Sequence, residues 1–353
     1  MTSEKYIGLD VHQATISVAV LDSSGKLVME SILETSAATI LQFFAGLRGR
    51  LLVTFEEGTW ATWLYDLLKP HVAEVLVCNP RKLQNQGNKS DRIDARKLAE
   101  WLRGGQLKPV YHGENGVRML RELARSYLAT VKDVTRVMDR LKAVYRSWAI
   151  PYEGRDVYSA RHRAQWLAKI PHAGPRRRAE LLYQQLDALE PIRKQAKREL
   201  LQESRRHTAT GRMLQIPYVG PIRAALLVAI IQTPHRFRTK RQLWAYGGLA
   251  LETRISGEYR YAKGQLQRSK KRLAIRGLNK DHNHDLKGLL KSTAMQASTR
   301  PGPLGDFYEA LLAKGMKPTM ARLTLARKIA AMVLVLWKEG ASFDAEKLKS
   351  QAA

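Results

Sequence analysis

The sequence predicts an α/β domain built on a mixed sheet, followed by a basic and mainly helical body. Three observations carry that expectation. Short β-rich runs alternate with amphipathic stretches only in the first third of the chain. A heptad seam then runs through residues 117–148. Charge is divided just as unevenly: residues 1–112 carry 13 basic and 12 acidic residues, whereas residues 113–353 carry 47 and 20.

Over all 353 residues, 60 Lys and Arg face 32 Asp and Glu, a formal net charge of +28. Such a balance calls for a polyanionic partner and fits nucleic acid in general without selecting a reaction. The length suits two or three domains, and the shifts in pattern place them at 1–112, 113–212 and 213–345. The single cysteine, Cys78, lies in the apolar run EVLVCNP. It cannot close an intrachain disulfide, which fits a reducing compartment and a buried structural thiol. No apolar core with a cleavage site follows MTSEKY, and the richest apolar stretch, 329–337, falls short of the roughly 18 residues of a membrane span. A cytoplasmic protein is expected.

Residues 5–11, 15–21 and 26–33 read as three strands of an antiparallel meander, divided by His12–Ala14 and the turn DSSG. A helix over 36–48, a buried strand over 50–55, a helix over 59–71 and a strand over 74–80 complete a mixed sheet. Asp10 interrupts the apolar strand IGLDV. A carboxylate there is costly to bury unless a positive group, such as a metal ion, neutralises it. Glu56 follows the strand at 50–55 directly, with Glu57 beside it facing the other way.

The stretch GNKSDRIDARKLAEWLR, 87–103, reads as a helix start that carries Asp91 and Asp94 on one face, about one turn apart. The ordinary account is that Ser90 or Asp91 caps the helix and Asp94 favours its positive end. The chemical account is that the two acids, beside Lys89, Arg92 and Arg96, hold a divalent cation against a phosphate. Asp10, Glu56, Asp91 and Asp94 together make an oxygen donor set suited to Mg²⁺ or Mn²⁺ rather than zinc. Two such ions can serve phosphodiester chemistry.

The meander with its strand Asp, the strand-end Glu and the run KSDRIDARKLA resemble the RuvC-like DEDD domain of insertion-sequence transposases, relatives of the Piv-type invertases. The resemblance implies an RNase-H/RuvC-like domain, a coiled-coil linker and a carboxy-terminal transposase domain. It also implies a recombinase that cuts and rejoins donor and target double-stranded DNA under the guidance of a structured bridge RNA. By the same resemblance Asp10, Glu56, Asp91 and Asp94 are the metal ligands.

Beyond the first domain, Leu120, Ala124, Tyr127, Val131, Val134, Met138, Leu141, Tyr145 and Trp148 make the heptad seam. It can pair with a second chain, giving a dimer or tetramer, or fold back on a later helix. Residues 155–212 read as helix broken near Pro171–Pro175 and again at Pro191, with a basic cluster at Arg176, Arg177 and Arg178. The run 214–231 has the pattern of a helix-hairpin-helix, whose Gly220 lets backbone N–H groups approach a phosphate ahead of a helix start.

From 237 to 278, Arg254, Arg260, Lys263, Arg268, Lys270, Lys271 and Arg272 interleave with Trp244, Tyr246, Tyr259 and Tyr261, as expected where phosphates are neutralised and bases stack. Within it, Ala245–Leu249 and Ile255-Ser256-Gly257 match the family's transposase domain, which implies that Ser256 is a nucleophile forming a phosphoserine link to DNA. Its residue type alone indicates a turn. Ser269 is the alternative. His282 and His284 lack a matching pair at zinc spacing and read as a polar turn before a helix. Two other functions remain open on the residues alone: a Holliday-junction-type endonuclease that uses the acids without the serine, and a non-catalytic nucleic-acid-binding scaffold.

Overall fold

The computed structural model describes residues 4–79, 90–113, 116–256, 259–262, 265–268 and 273–349. Strands β1 (Glu4–Val11), β2 (Thr15–Asp22) and β3 (Leu27–Glu34) form the antiparallel meander, each within one residue of its expected bounds. Helix α1 (Ala37–Ala45) starts where the Ser36 hydroxyl accepts from the Thr39 N–H. Strand β4 (Arg50–Glu56) then runs parallel to β1, and after helix α2 (Ala61–Leu68) strand β5 (Glu74–Cys78) runs parallel to β4. The result is a five-stranded mixed sheet ordered β3-β2-β1-β4-β5.

Period-two alternation divides the residues of this sheet between two cores. Ile7, Leu9, Val53 and Phe55 pack on one face against Ile40, Phe44, Leu64 and Leu68 of α1 and α2. On the other face, helix α3 (Asp91–Arg103) lays Leu98 and Leu102 over Tyr6, Leu52, Leu76 and Cys78. Gly8 makes that contact possible. A Cβ there would lie 2.1 Å from the Ala95 carbonyl oxygen and 2.6 Å from the Ala99 nitrogen, so the α3 backbone rests directly on β1. Asp10, two residues on, shares that face. Cys78 is the buried thiol expected, with burial pushing its pKa up to about 11.

The chain divides into two compact units, Met1–Glu114 and Asn115–Ala353. In the second, α4 (Arg118–Ser147), the short α5 (Arg163–Ala168) and α6 (Ala173–Ser204) come first. The seam is spent within the chain. Val134, Leu141 and Tyr145 of α4 pack with Ala179, Tyr183 and Leu186 near the start of α6, while Leu120 and Ala124 share a core with Ala196 and Leu200 near its end. The two helices are therefore an antiparallel pair, the fold-back arrangement, with most seam side chains packed within the chain.

The break expected at Pro191 is not there, since α6 runs through it. A proline inside a helix costs about 3 kcal/mol through its lost N–H and ring clash. Apolar contacts with α4 on both sides of Pro191 offset that cost. The Pro171–Pro175 break is observed, with Pro175 in the first turn of α6, where no N–H partner is needed.

Helices α7 (Thr208–Leu214), α8 (Pro221–Ile231) and α9 (Lys240–Tyr246) follow, then two antiparallel ribbons. One pairs β6 (Leu251–Ser256) with β9 (Leu273–Leu278), the other β7 (Tyr259–Ala262) with β8 (Gln265–Arg268). Helices α10 (His284–Ala297), α11 (Pro303–Ala313), α12 (Pro318–Glu339) and α13 (Ala345–Lys349) close the unit. α8 is buried almost all round, from Ala224 to Ala229, and packs with Leu325, Ile329 and Val333 of α12 in one core. Among the described residues no helix is long and apolar enough to cross a membrane.

Candidate active site

The parallel register pairs Leu9 with Phe55, which sets Asp10 and Glu56 side by side at the carboxyl ends of adjacent strands. Helix α3 brings the other two acids. Ser90 is its cap, accepting from the Ile93 N–H at 3.3 Å, and Asp91 and Asp94 occupy its first turn, where the helix dipole favours negative charge. The capping account and the chemical account thus both fit the same turn. Gly8 seats this helix close enough for its start to overhang the end of β1.

His12, just past β1, ties the acids together: its Nε2 lies 3.2 Å from Asp10 Oδ2 and 3.6 Å from Asp91 Oδ1. Asp10, His12 and Asp91 each offer a ligand atom within 4.8 Å of the others. Glu56 and Asp94 stand outside this tight cluster. Burial pushes the Asp10 pKa up, His12 opposes that rise, and the carboxylates of Asp91 and Asp94 add to it. Asp94 Oδ1 is buried and has no hydrogen-bond partner, and Lys97 Nζ lies 4.0 Å from it.

Glu56 and Glu57 differ in their surroundings. Glu57 Oε2 is 2.7 Å from Nε2 of His112, whose side chain is 5% exposed and whose ring tilts on Tyr65. Glu56 is exposed on the opposite side of the strand. A hard divalent cation fits this donor set: oxygen-rich, with one buried carboxylate oxygen unsatisfied and one carboxylate whose charge is costly. Asp10, Asp91, Asp94 and Glu56 are the residues that could hold it.

Several basic residues are engaged elsewhere than expected. Arg96 grips Glu30 of β3 with both its Nε and Nη2, the latter at 2.6 Å, which holds the Glu30 carboxyl below its usual range. Arg176 donates to the Ile170 carbonyl at 2.7 Å and Arg177 to Glu180 at 2.9 Å, whereas Arg92 and Arg178 are exposed. Gly220 caps α8 with an extended φ of −75°, open to any residue, and space for a Cβ is free around it. The left-handed residue of that turn is Tyr218, at φ 67°, whose hydroxyl donates to the Pro301 carbonyl at 2.6 Å.

Tyr246 packs on the core with Arg236 4.6 Å from its ring centre, so it is not an open stacking platform, whereas Trp244 is only partly buried against that core. Tyr261, 75% exposed, is open. His282 precedes α10 and its ring fills the space beside Gly248, at φ +64°, while His284 is already the first residue of α10, with the two rings tilted at 53° to each other. The Ser256 backbone ends β6 opposite Leu273, a strand end rather than a turn. Its side chain lies outside the described residues, as do those of Arg254, Tyr259, Arg260 and Arg268. Lys89, Lys263, Ser269, Lys270, Lys271 and Arg272 lie wholly outside them.

Sequence reading passed over two residues here, Gly8 and His12. Each had a signal: a glycine inside an apolar strand marks close backbone approach, and His12 stands two residues from a strand carboxylate.

Comparison with known proteins adds the family. Residues 7–148 match the DEDD transposase model of the IS110 type, and residues 211–278 match the model of the IS116/IS110/IS902 transposase family, together more than half of the chain. An uncharacterised 44.8 kDa protein of insertion element IS116 from Streptomyces clavuligerus is 23% identical, covering 94% of this chain and 93% of its own length. The protein y4qE of Sinorhizobium fredii, whose name carries transposase as a provisional assignment, is 22% identical over 95% of this chain and 89% of its own. A transposase of insertion sequence element IS1533 from Leptospira borgpetersenii is 29% identical over 30% of this chain and 33% of its own. With the strand-end acids, the mixed sheet and both family models in agreement, the chain belongs to the IS110/IS116 family of DEDD transposases.

Proposed function

We propose that this transposase moves an insertion sequence by cutting and rejoining donor and target double-stranded DNA, with Asp10, Glu56, Asp91 and Asp94 holding Mg²⁺ or Mn²⁺ and Ser256 acting as nucleophile. The observation that carries the metal reading is the meeting of Asp10 and Asp91 at the sheet end, 3.2 and 3.6 Å from a shared histidine nitrogen, with a buried Asp94 oxygen unsatisfied beside them. When bound, the metal supplies charge stabilisation for phosphodiester cleavage. The residues do the rest. Gly8 and the Ser90 cap hold α3 so that its two acids stay in place, and the His112–Glu57 contact pins the end of β4 so that Glu56 faces the DNA.

Ser256 enters through the family resemblance. Its Oγ bonds to a DNA phosphorus as one P–O bond of the strand breaks and the hydroxyl proton passes to the departing DNA oxygen; attack by a DNA hydroxyl on the phosphoserine returns the proton to Oγ and rejoins the strand. A structured RNA that pairs with both DNA partners supplies target choice, and the charge of residues 113–353 suits holding all of these polyanions. A dimer or tetramer assembles the partners; since the α4–α6 seam is closed within each chain, subunits meet through other surfaces.

The test mixes purified protein, Mg²⁺, donor and target DNA with and without RNA transcribed from the element's non-coding flank. Wild type is compared with Ser256→Ala. RNA-dependent recombination lost in the variant supports the proposal. Cutting that needs no RNA and survives the substitution would replace it with a junction endonuclease, and activity indifferent to metal removal would point to a scaffold.

A further inference from the structure

Away from the acids, the second unit holds a cavity of about 570 Å³ between α9, α12 and the segment that leads into α13. That volume is in the range of sites for ligands of nucleotide size. Its walls are apolar and aromatic, with Trp244 of α9, Phe307 of α11 and Met332 of α12. Cations gather at one end. Lys240 Nζ lies 5.8 Å from the Trp244 ring centre and Lys328 Nζ 5.8 Å from that of Phe307.

The aromatic wall is held rigidly. Trp244 Nε1 donates to the Arg327 carbonyl at 2.9 Å, and Arg327 Nε donates in turn to the Leu249 carbonyl at 2.7 Å. Arg327 and Lys328 of α12 line the cavity together with Lys240 of α9, so three cationic side chains converge at this end. Glu339, at the opposite end of α12, and Asp344 beyond it also line the cavity. From Lys328 to Glu339 the helix rises about 16 Å. A phosphate is therefore directed to the cations, and a base carrying amino or ring N–H donors lies beside it with its polar edge turned toward the Glu339 side.

We propose that this cavity receives one unstacked nucleotide of a single-stranded segment, its base against Trp244 and Met332 and its phosphate at Lys240. The proposal rests on the nucleic-acid reading above and adds to it a site for a single base. Aromatic walls with cations at their edge are the chemistry of sequence-tolerant single-strand contact, and the strand can come from RNA or from opened DNA.

The test uses full-length protein carrying ¹³C-methyl methionine, titrated with adenylate hexamers of DNA and of RNA. Met332→Leu assigns the reporter resonance. The expected result is a saturable ring-current shift of the Met332 methyl. Lys240→Gln should weaken its apparent affinity roughly threefold, the loss of about one phosphate contact. Ala331→Phe, which fills the cavity from α12, should abolish that shift while other oligonucleotide-induced shifts persist. The more effective hexamer identifies the source of the strand. Oligonucleotide binding that moves other methyls and leaves Met332 still overturns this site and spares the nucleic-acid reading. A spectrum silent to both hexamers overturns both.

Discussion

The two units handle charge in opposite ways. In the first, carboxylates are pressed together at one sheet end: Asp10 is partly buried with Asp91 and Asp94 close enough to raise its pKa, and an Asp94 oxygen has no hydrogen-bond partner among the described residues. In the second, cations are spread along helices and many are answered locally, as in Arg125–Glu122, Arg136–Asp133, Arg193–Glu190 and Arg206–Glu203. Exposed i,i+3 pairs such as Arg125–Glu122 and Arg136–Asp133 are worth only tenths of a kcal/mol. They can be exchanged for phosphates at little cost. On the proposed function, the crowded acids would hold a specific cation, whereas the loosely paired cations would accept any polyanion.

The contrast is most open to attack at Asp10. Asp10→Asn is expected to lower recombination by more than about a hundredfold if the acids hold the metal. In chelator the same variant should melt a few degrees higher than wild type at neutral pH. Because the folded-state pKa of Asp10 is raised, the folded protein keeps a proton that the unfolded chain releases, and stability falls as pH rises from the ordinary aspartate range through the folded value. Added Mg²⁺ should restore the wild-type melting temperature and leave the variant unmoved. Equal melting of the two proteins in chelator would remove the crowding from the comparison.

Gly8→Ala tests whether crowding depends on backbone contact. The Ala95 oxygen, 2.1 Å from a Cβ, is main chain and cannot swing aside, so about 1–3 kcal/mol of destabilisation is expected, with metal-dependent stabilisation reduced as α3 shifts. Urea denaturation with and without Mg²⁺ measures both.

A smaller effect is expected in the second unit, where a buried polar contact is neutral. Tyr183 donates to the Val157 carbonyl at 2.7 Å, so the Tyr145 hydroxyl, 2.9 Å away, is the donor to Tyr183. Tyr183→Phe should cost about 1–2 kcal/mol in chemical denaturation, and metal should not alter that loss. Smallest of all for the fold, Arg125→Gln with Arg136→Gln should leave the melting temperature unchanged. Fluorescence anisotropy over a salt series should instead show a slope shallower by about one for each phosphate contact removed.

Much of the first unit was legible because its signals are local. Alternation placed the three strands of the meander, and Asp10 stood out as a charge in an apolar run. Place directly after the apolar strand favours Glu56, but what separates the two glutamates in the fold is His112, far along the chain. The second unit was harder for two reasons. Proline at 191 is a helix breaker locally, and only long-range packing against α4 overrides it. Strand β6 alternates Leu, Thr and Ile with Glu, Arg and Ser, but its partner β9 lies beyond a second ribbon, so the pairing is invisible to a local window.

The α4–α6 pair also has mechanical meaning. Its base is embedded in the main core of the second unit, while its far end carries a separate small core around Tyr145, Trp166 and Tyr183. At 30 residues α4 is about 45 Å long. A tilt of about 5° at the base would carry the tip some ~4 Å, on the scale of one helical turn. A pair built this way would act as a lever, turning a small adjustment at its base into a displacement of several ångströms at its tip.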